Sequence, residues 1–265
     1  MLDVIGYVNT EKEKMKLAVE FLTKAGHRPR MAIITDDRNF ADNASYIKSK
    51  TQFALDVGVA CDVIVMKEDD EFPDLEPYHG AIVQYPFRGY DFDAFRFWLS
   101  DKIPPEKDID GLTYKSHFKP CTPLGIIKYL EHLRDEKIIE GNVTVDVIGY
   151  GGLVGKPLTE MLLEDKRYTV CVTRSDTDEW VRDTFKAAAN VIVCATPKPN
   201  LVMWTSSSKV YIDCGCSLID GKLIGNVRRD CYGEDELITP VPGGVGPMTI
   251  TMLLKNTLLA AKKSL

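Results

Sequence analysis

A β-branched run, Val143 to Ile148, enters Gly149-Tyr150-Gly151-Gly152-Leu153-Val154-Gly155-Lys156-Pro157 and passes into the helical pattern Leu158 to Leu163. Strand, glycine turn and helix in that order narrow the fold more than any other feature of the chain. The glycines let the backbone approach a pyrophosphate, whose charge sits at the helix N-terminus. The spacing G-x-G-x-x-x-G is one residue longer than the usual dinucleotide fingerprint. A glycine turn also joins a strand to a helix with no ligand present, so the spacing alone leaves both readings open.

Further strands are expected at Thr169 to Thr173, Val191 to Ala195 and Val210 to Asp213, each ended by turn chemistry. The first half alternates helix and strand as well. Helices are expected over Glu11 to Ala25, stopped by Gly26, and over Asn43 to Val57, stopped by Gly58. Short apolar runs at Met31 to Thr35, Cys61 to Met66 and Ala81 to Val83 read as strands. Such alternation gives parallel sheets covered by helices, an α/β fold. A boundary falls at Pro120-Cys121-Thr122-Pro123, with Thr122 expected to cap a helix over Leu124 to Arg134. Residues 1–121, completed by a C-terminal helix within 248–265, form one expected domain, and 122–247 the other.

Composition removes several function classes. Net charge is −6, so no basic excess is available to neutralise nucleic-acid phosphates. No apolar run approaches the roughly 18 residues that span a bilayer, and Met1 to Lys14 lacks the basic-then-apolar order of a signal peptide. The seven cysteines lie mostly inside apolar runs, which suits free thiols in a reducing cytoplasm. Cys214 and Cys216 are expected to point one way from a strand, but no second pair completes a metal site, so none is expected.

Candidate chemistry comes from short segments. Tyr46 and Lys50 share one helix face, and a phenol beside an amine carries proton traffic if burial lowers the lysine pKa. Gln84 stands just past a buried strand, where ligands of α/β sheets bind, and Asp110 sits at an Asp-Gly turn. An exposed Tyr and Lys and an ordinary turn account for the same residues. Pro240 to Thr249 holds three prolines and three glycines, reading as a rigid loop that lets a flat ligand reach the backbone, with Thr249 as an N-cap. Arg174 and Ser175, at the end of the second strand after the boundary, suit the 2′-phosphate of NADP; Asp176 pulls toward NAD, and a solvated Arg–Asp pair is the plain alternative.

In chain order these segments resemble the motifs of the methylenetetrahydrofolate dehydrogenase/cyclohydrolase family. Its Tyr-x-x-x-Lys helix is similar to Tyr46 to Lys50, its Val-Gln-Leu-Pro turn to Val83-Gln84-Tyr85-Pro86, and its Lys-Asp-Val-Asp-Gly to Lys107 to Gly111. Its Pro-Cys-Thr-Pro-x-Gly reappears at Pro120 to Gly125, and its Pro-Val-Pro-Gly-Gly-Val-Gly-Pro-Met-Thr at Pro240 to Thr249. The chain departs from the family at Tyr150, where an arginine is usual, at Asn43, where a serine is usual, and at Arg88, where a proline is usual. The stretch between Asp110 and Pro120 is shorter than in typical members, leaving one flank of the folate cleft more open.

The resemblance implies two domains with a cleft between them, an N-terminal α/β folate-binding catalytic domain and a C-terminal Rossmann-type domain. It implies oxidation of 5,10-methylenetetrahydrofolate to 5,10-methenyltetrahydrofolate with NADP, NAD remaining open, and hydrolysis of the product to 10-formyltetrahydrofolate. Lys50 would transfer protons, oriented by Gln84, while Tyr46 and Asp110 would hold the folate with backbone from Pro242, Gly243 and Gly244. Gly149, Tyr150, Gly151, Gly152, Leu153, Val154, Arg174, Ser175, Ala195, Thr196 and Gly215 would line the cofactor. The expected protein is a cytoplasmic homodimer with small-molecule ligands. A different dehydrogenase, or a binding protein that has lost catalysis, remains as an alternative.

Overall fold

The computed structural model describes residues 1–203, 209–231 and 236–264, and the Cys231 side chain lies outside that description. In chain order, helix α1 (Val4–Lys24) precedes strand β1 (Arg30–Asp36), helix α2 (Asp37–Val57) and strands β2 (Ala60–Met66) and β3 (Gly80–Val83). Helices α3 (Phe92–Ser100) and α4 (Cys121–Asp135) lead to β4 (Val143–Ile148), α5 (Gly155–Leu163) and β5 (Tyr168–Thr173). Then come α6 (Glu179–Ala188), β6 (Val191–Cys194), β7 (Val210–Asp213), the hairpin β8 (Ser217–Ile219) and β9 (Lys222–Ile224), and α7 (Val245–Lys263).

The chain divides into two units, one of Asn9–Cys121 with Ile250–Leu265 and one of Met1–Val8 with Thr122–Thr249. The first eight residues thus group with the later segment, whereas the first domain was expected to begin at residue 1. Leu2 N donates to Ile238 O at 3.0 Å, and the Tyr7 ring packs edge-on against Tyr129, with centroids 5.3 Å apart.

In the unit holding Asn9–Cys121, three parallel strands run in the order β2-β1-β3. Ala32 and Ile34 of β1 and Ala81 and Val83 of β3 pack with Phe87, Phe95 and Leu99. In the other unit, four parallel strands run β5-β4-β6-β7. All four residues of β6 and of β7 are buried, as suits the Val/Ile-rich strands of a covered parallel sheet. The α/β class with parallel sheets is therefore observed.

Element starts differ from expectation where capping was overlooked. α2 begins six residues before Asn43, because the Asp36 side chain accepts from Asn39 N as its N-cap. α1 begins at Val4, after Asp3 accepts from Gly6 N at 2.7 Å. α4 starts at Cys121, so Thr122 lies in its first turn rather than at its cap. α7 starts at Val245, which corrects the reading of Thr249 as an N-cap and of 240–249 as loop throughout. Pro247 fits the first turn because its missing N–H would have had no helical partner. The Thr249 hydroxyl instead reaches the Val245 carbonyl and the Thr122 hydroxyl, both at 3.0 Å. Cys214 and Cys216 lie between β7 and β8 rather than within a strand.

Candidate active site

α2 carries Lys50 to the interior: the side chain is 5 % exposed, and its Nζ donates to Gln84 Oε1 at 2.7 Å. The Tyr46 ring lies on the same helix face, with Nζ 4.5 Å from its centroid. Gln84 follows β3, where its backbone N still donates to Ile34 O at 2.7 Å. Its Nε2 donates to Tyr85 O at 2.9 Å, which turns Oε1 toward the amine. Tyr85-Pro86 is a cis peptide. Burial lowers the Lys50 pKa, against the pull of Asp110 and of the Cys121 and Cys61 sulfurs.

Asp110 faces this amine from the turn after Asp108. Burial raises its pKa, and the Lys50 charge works in the other direction. The turn is held by Asp108, fully buried, whose carboxylate accepts from Gly111 N at 3.1 Å and Thr113 N at 2.7 Å. Gly111 has φ +74°, and a Cβ there would lie 2.5 Å from Lys119 C, so only glycine lets the two backbone segments meet. Behind the turn, Asn256 of α7 donates to Ile109 O at 2.8 Å, and the Cys121 thiol donates to the same oxygen at 3.2 Å. Burial pushes the Cys121 thiol well up, so it stays a protonated donor. Tyr46, Lys50, Gln84 and Asp110 are thus brought together in one unit.

The other unit holds the glycine turn. Gly149, directly after β4, has φ +100°, and its N donates to Thr173 O at 2.8 Å. A Cβ on Gly149 would meet Ala195 O at 2.3 Å, and one on Gly155 would meet Gly149 O at 1.9 Å. These two glycines let the strand end, the start of α5 and the end of β6 converge. Gly151 and Gly152 are exposed, and a Cβ on Gly151 would meet nothing within 4 Å. Val154 caps α5 without any side-chain hydrogen bond. A close backbone cradle and a helix N-terminus with no capping side chain suit a dinucleotide pyrophosphate, so the residues present fit that group.

Around this turn, Tyr150 and Leu153 are 40 % and 42 % exposed. Arg174 and Ser175, past β5, are exposed as well. Ala195 and Thr196 follow β6, where buried Asn226 donates to Thr196 O at 3.0 Å and Lys198 O at 2.7 Å. Gly215 is packed so tightly that a Cβ would sit 2.4 Å from Asn226 N. Asp213 organises that corner, accepting from Gly215, Asn226 and Val227 backbone N–H groups at 2.8, 2.8 and 2.9 Å. Burial raises its pKa against those three hydrogen bonds. Pro242, Gly243 and Gly244 also belong to this unit, after the cis peptide Val241-Pro242; a Cβ on Gly244 would meet Pro240 O at 2.5 Å.

The supporting residues Asp36, Asp108, Asn256, Asp213 and Asn226 escaped the sequence reading. Asp108 had a visible signal as the first carboxylate of Lys107 to Gly111, and Asp36 that of an acidic N-cap three residues before Asn39; Asn256, Asp213 and Asn226 depend on contacts distant in sequence. Among the described residues, no group of three or more His, Cys, Asp or Glu could hold a metal ion, and no helix is long and apolar enough to cross a membrane.

Comparison with known proteins agrees with this geometry. Residues 120–265 match the family profile of the tetrahydrofolate dehydrogenase/cyclohydrolase NAD(P)-binding domain. The bifunctional protein FolD of Macrococcus caseolyticus is 36% identical over 268 residues, spanning 93% of this chain and 92% of its own length. The structure of the bifunctional FolD methylenetetrahydrofolate dehydrogenase/cyclohydrolase from Campylobacter jejuni is 29% identical, with a TM-score of 0.82 over 98% of this chain and 97% of that one. The FolD structure from Trypanosoma brucei, complexed with NADP and an inhibitor, is 27% identical, with a TM-score of 0.83 over 100% of this chain and 97% of that one. The chain belongs to the tetrahydrofolate dehydrogenase/cyclohydrolase family.

Proposed function

We propose that the protein oxidises 5,10-methylenetetrahydrofolate to 5,10-methenyltetrahydrofolate with NADP and hydrolyses the product to 10-formyltetrahydrofolate. The observation that carries this reading is the buried Lys50 amine, held by Gln84 at 2.7 Å with its pKa lowered by burial. Burial that disfavours the charged amine suits a lysine that exchanges protons rather than one that serves as a fixed cation.

In the hydrolysis, neutral Lys50 takes the proton of the water that adds to the methenyl carbon. It then returns that proton to the ring nitrogen as the carbon–nitrogen bond opens, while the proton of the newly added hydroxyl passes to solvent and the formyl carbonyl forms. Gln84 Oε1 orients the amine through both steps, because its own amide nitrogen is tied to Tyr85 O. Tyr46 holds the folate by ring contact or through its hydroxyl, Asp110 accepts hydrogen bonds from the pterin, and Pro242, Gly243 and Gly244 contact substrate through main-chain atoms. Hydride loss from the methylene carbon requires no protein base, only positioning of the substrate. Bound NADP supplies the hydride acceptor. Gly149, Tyr150, Gly151, Gly152, Leu153 and Val154 would hold its pyrophosphate side, Arg174 and Ser175 its 2′-phosphate, and Ala195, Thr196 and Gly215 the remaining wall.

A cytoplasmic homodimer belongs to the same reading, and the free thiols among the described residues suit a reducing compartment. Mixing the protein with methylenetetrahydrofolate and each nicotinamide cofactor tests the activity. The expected result is simultaneous growth of the methenyltetrahydrofolate and reduced-cofactor absorbances, followed by decay of the former. Absence of both signals contradicts the reading.

A further inference from the structure

β4 and β5 are paired so that Ile148 lies beside Thr173, and Gly149 N donates to Thr173 O at 2.8 Å. The residue after Thr173 therefore leaves the sheet next to the first glycine of the turn, where the ribose end of a dinucleotide lies. That residue is Arg174, and the chain turns at once: Arg174 N donates to Thr177 Oγ1 at 2.9 Å and Thr177 N to Arg174 O at 3.2 Å. The turn folds the Asp176 carboxylate back onto the guanidinium. Arg174 Nε donates to Asp176 Oδ1 at 3.1 Å and Nη2 to Oδ2 at 3.0 Å, a two-pronged pair. The side chains are 57 % and 68 % exposed.

We infer that Asp176 is a specificity-determining residue, which narrows the preference of this protein for NADP over NAD by competing with the 2′-phosphate for the Arg174 guanidinium. The inference rests on the reading of the glycine turn as the cofactor site. The chemistry is a choice between two anions for one fork. An exposed carboxylate–guanidinium pair holds weakly, so a phosphate can take the fork over. Asp176 then remains beside the dianion and repels it. With NAD there is no such phosphate. The carboxylate can accept from ribose hydroxyls, as an acidic residue at this strand end commonly does. Tyr150, the residue after Gly149, carries no charge to offset Asp176. The pair therefore reads both cofactors, Arg174 favouring one and Asp176 the other.

The test is titration of NADPH and NADH into the full-length protein, followed by nucleotide fluorescence, for wild type, Asp176→Asn, Arg174→Ala and the double variant. Asp176→Asn should raise the NADPH:NADH affinity ratio by about five- to tenfold, mainly through tighter NADPH. Arg174→Ala should lower the ratio, and in its background Asp176→Asn should raise it far less, since no guanidinium remains to be freed. If wild type binds both nucleotides and Asp176→Asn shifts the ratio by less than twofold, or tightens both equally, the inference is overturned. If wild type binds neither nucleotide, the assignment of the cofactor site itself fails, and the inference with it.

Discussion

Lys50 and Arg174 are both basic residues, each held by one side chain, yet their surroundings differ in kind. Lys50 is 5 % exposed and donates to a neutral amide; Arg174 has a side chain 57 % exposed and donates to a carboxylate. Burial disfavours charge on the amine and gives it a pKa from which protons move. The exposed guanidinium beside a carboxylate is free to exchange one anion for another. In the function proposed, the buried amine serves acid–base work in one unit and the exposed guanidinium serves recognition in the other. The difference comes from burial together with the two head groups, since an amine shifts its pKa readily when buried and a guanidinium presents a planar fork to anions.

The comparison breaks most readily at the glycines. Gly155→Ala puts a Cβ 1.9 Å from Gly149 O, a backbone atom that cannot swing away. The unit holding the turn should lose about 3 kcal/mol of stability, and dinucleotide affinity should fall with it. Thermal unfolding and cofactor titration check this, and an unchanged dinucleotide affinity would show that the turn is not the cofactor cradle. A smaller effect is expected for Asp110→Ala, which removes a charged acceptor for the pterin. Folate affinity should drop by about 1.5–3 kcal/mol while dinucleotide affinity hardly changes. Calorimetric titrations with both ligands separate that outcome from a general loosening, which would weaken both.

The smallest effect sharpens the contrast through pH. The folded pKa of Lys50 lies below its ordinary value, so the unfolded chain binds more protons in the window between the two. The penalty for the buried charge is therefore full below the folded pKa and disappears as pH rises to the unfolded one. Wild-type stability should rise relative to Lys50→Met across that window, by at most about 1.4 kcal/mol per pH unit. Denaturant titrations of both proteins from neutral to alkaline pH give the difference. A flat difference would mean that Lys50 is not desolvated as described.

The strands of both sheets were legible because parallel, doubly covered strands are short β-branched runs with abrupt ends. Helix starts were less so. Asp3, Asp36 and Asp91 each accept from a backbone N–H three residues on, and two of these caps moved a helix start by several residues. The third opens α3, which was not expected at all. α6 also went unrecognised, although Val181, Phe185 and Ala188 recur at helical spacing; none of its residues is fully buried. Within the site, Lys50, Tyr46 and Gln84 could be read because helix spacing and a strand end place them. Asp108 and Asn256 could not, because their roles are to bond backbone atoms of a turn whose path the sequence does not state. Arg174 and its pairing with Asp176 were readable as opposite charges at a strand end, whereas the turn that Thr177 closes around them was not.

In the hydrolysis proposed, the buried amine of Lys50 moves the protons, separately from cofactor recognition. Lys50→Met keeps the length and apolar stem of the side chain but cannot carry a proton. Stopped-flow hydrolysis of methenyltetrahydrofolate by this variant, with NADP affinity measured on the same preparation, tests the claim most directly. The expected rate is lowered about 10²–10⁴-fold with NADP affinity unchanged. Hydrolysis at the wild-type rate would contradict it.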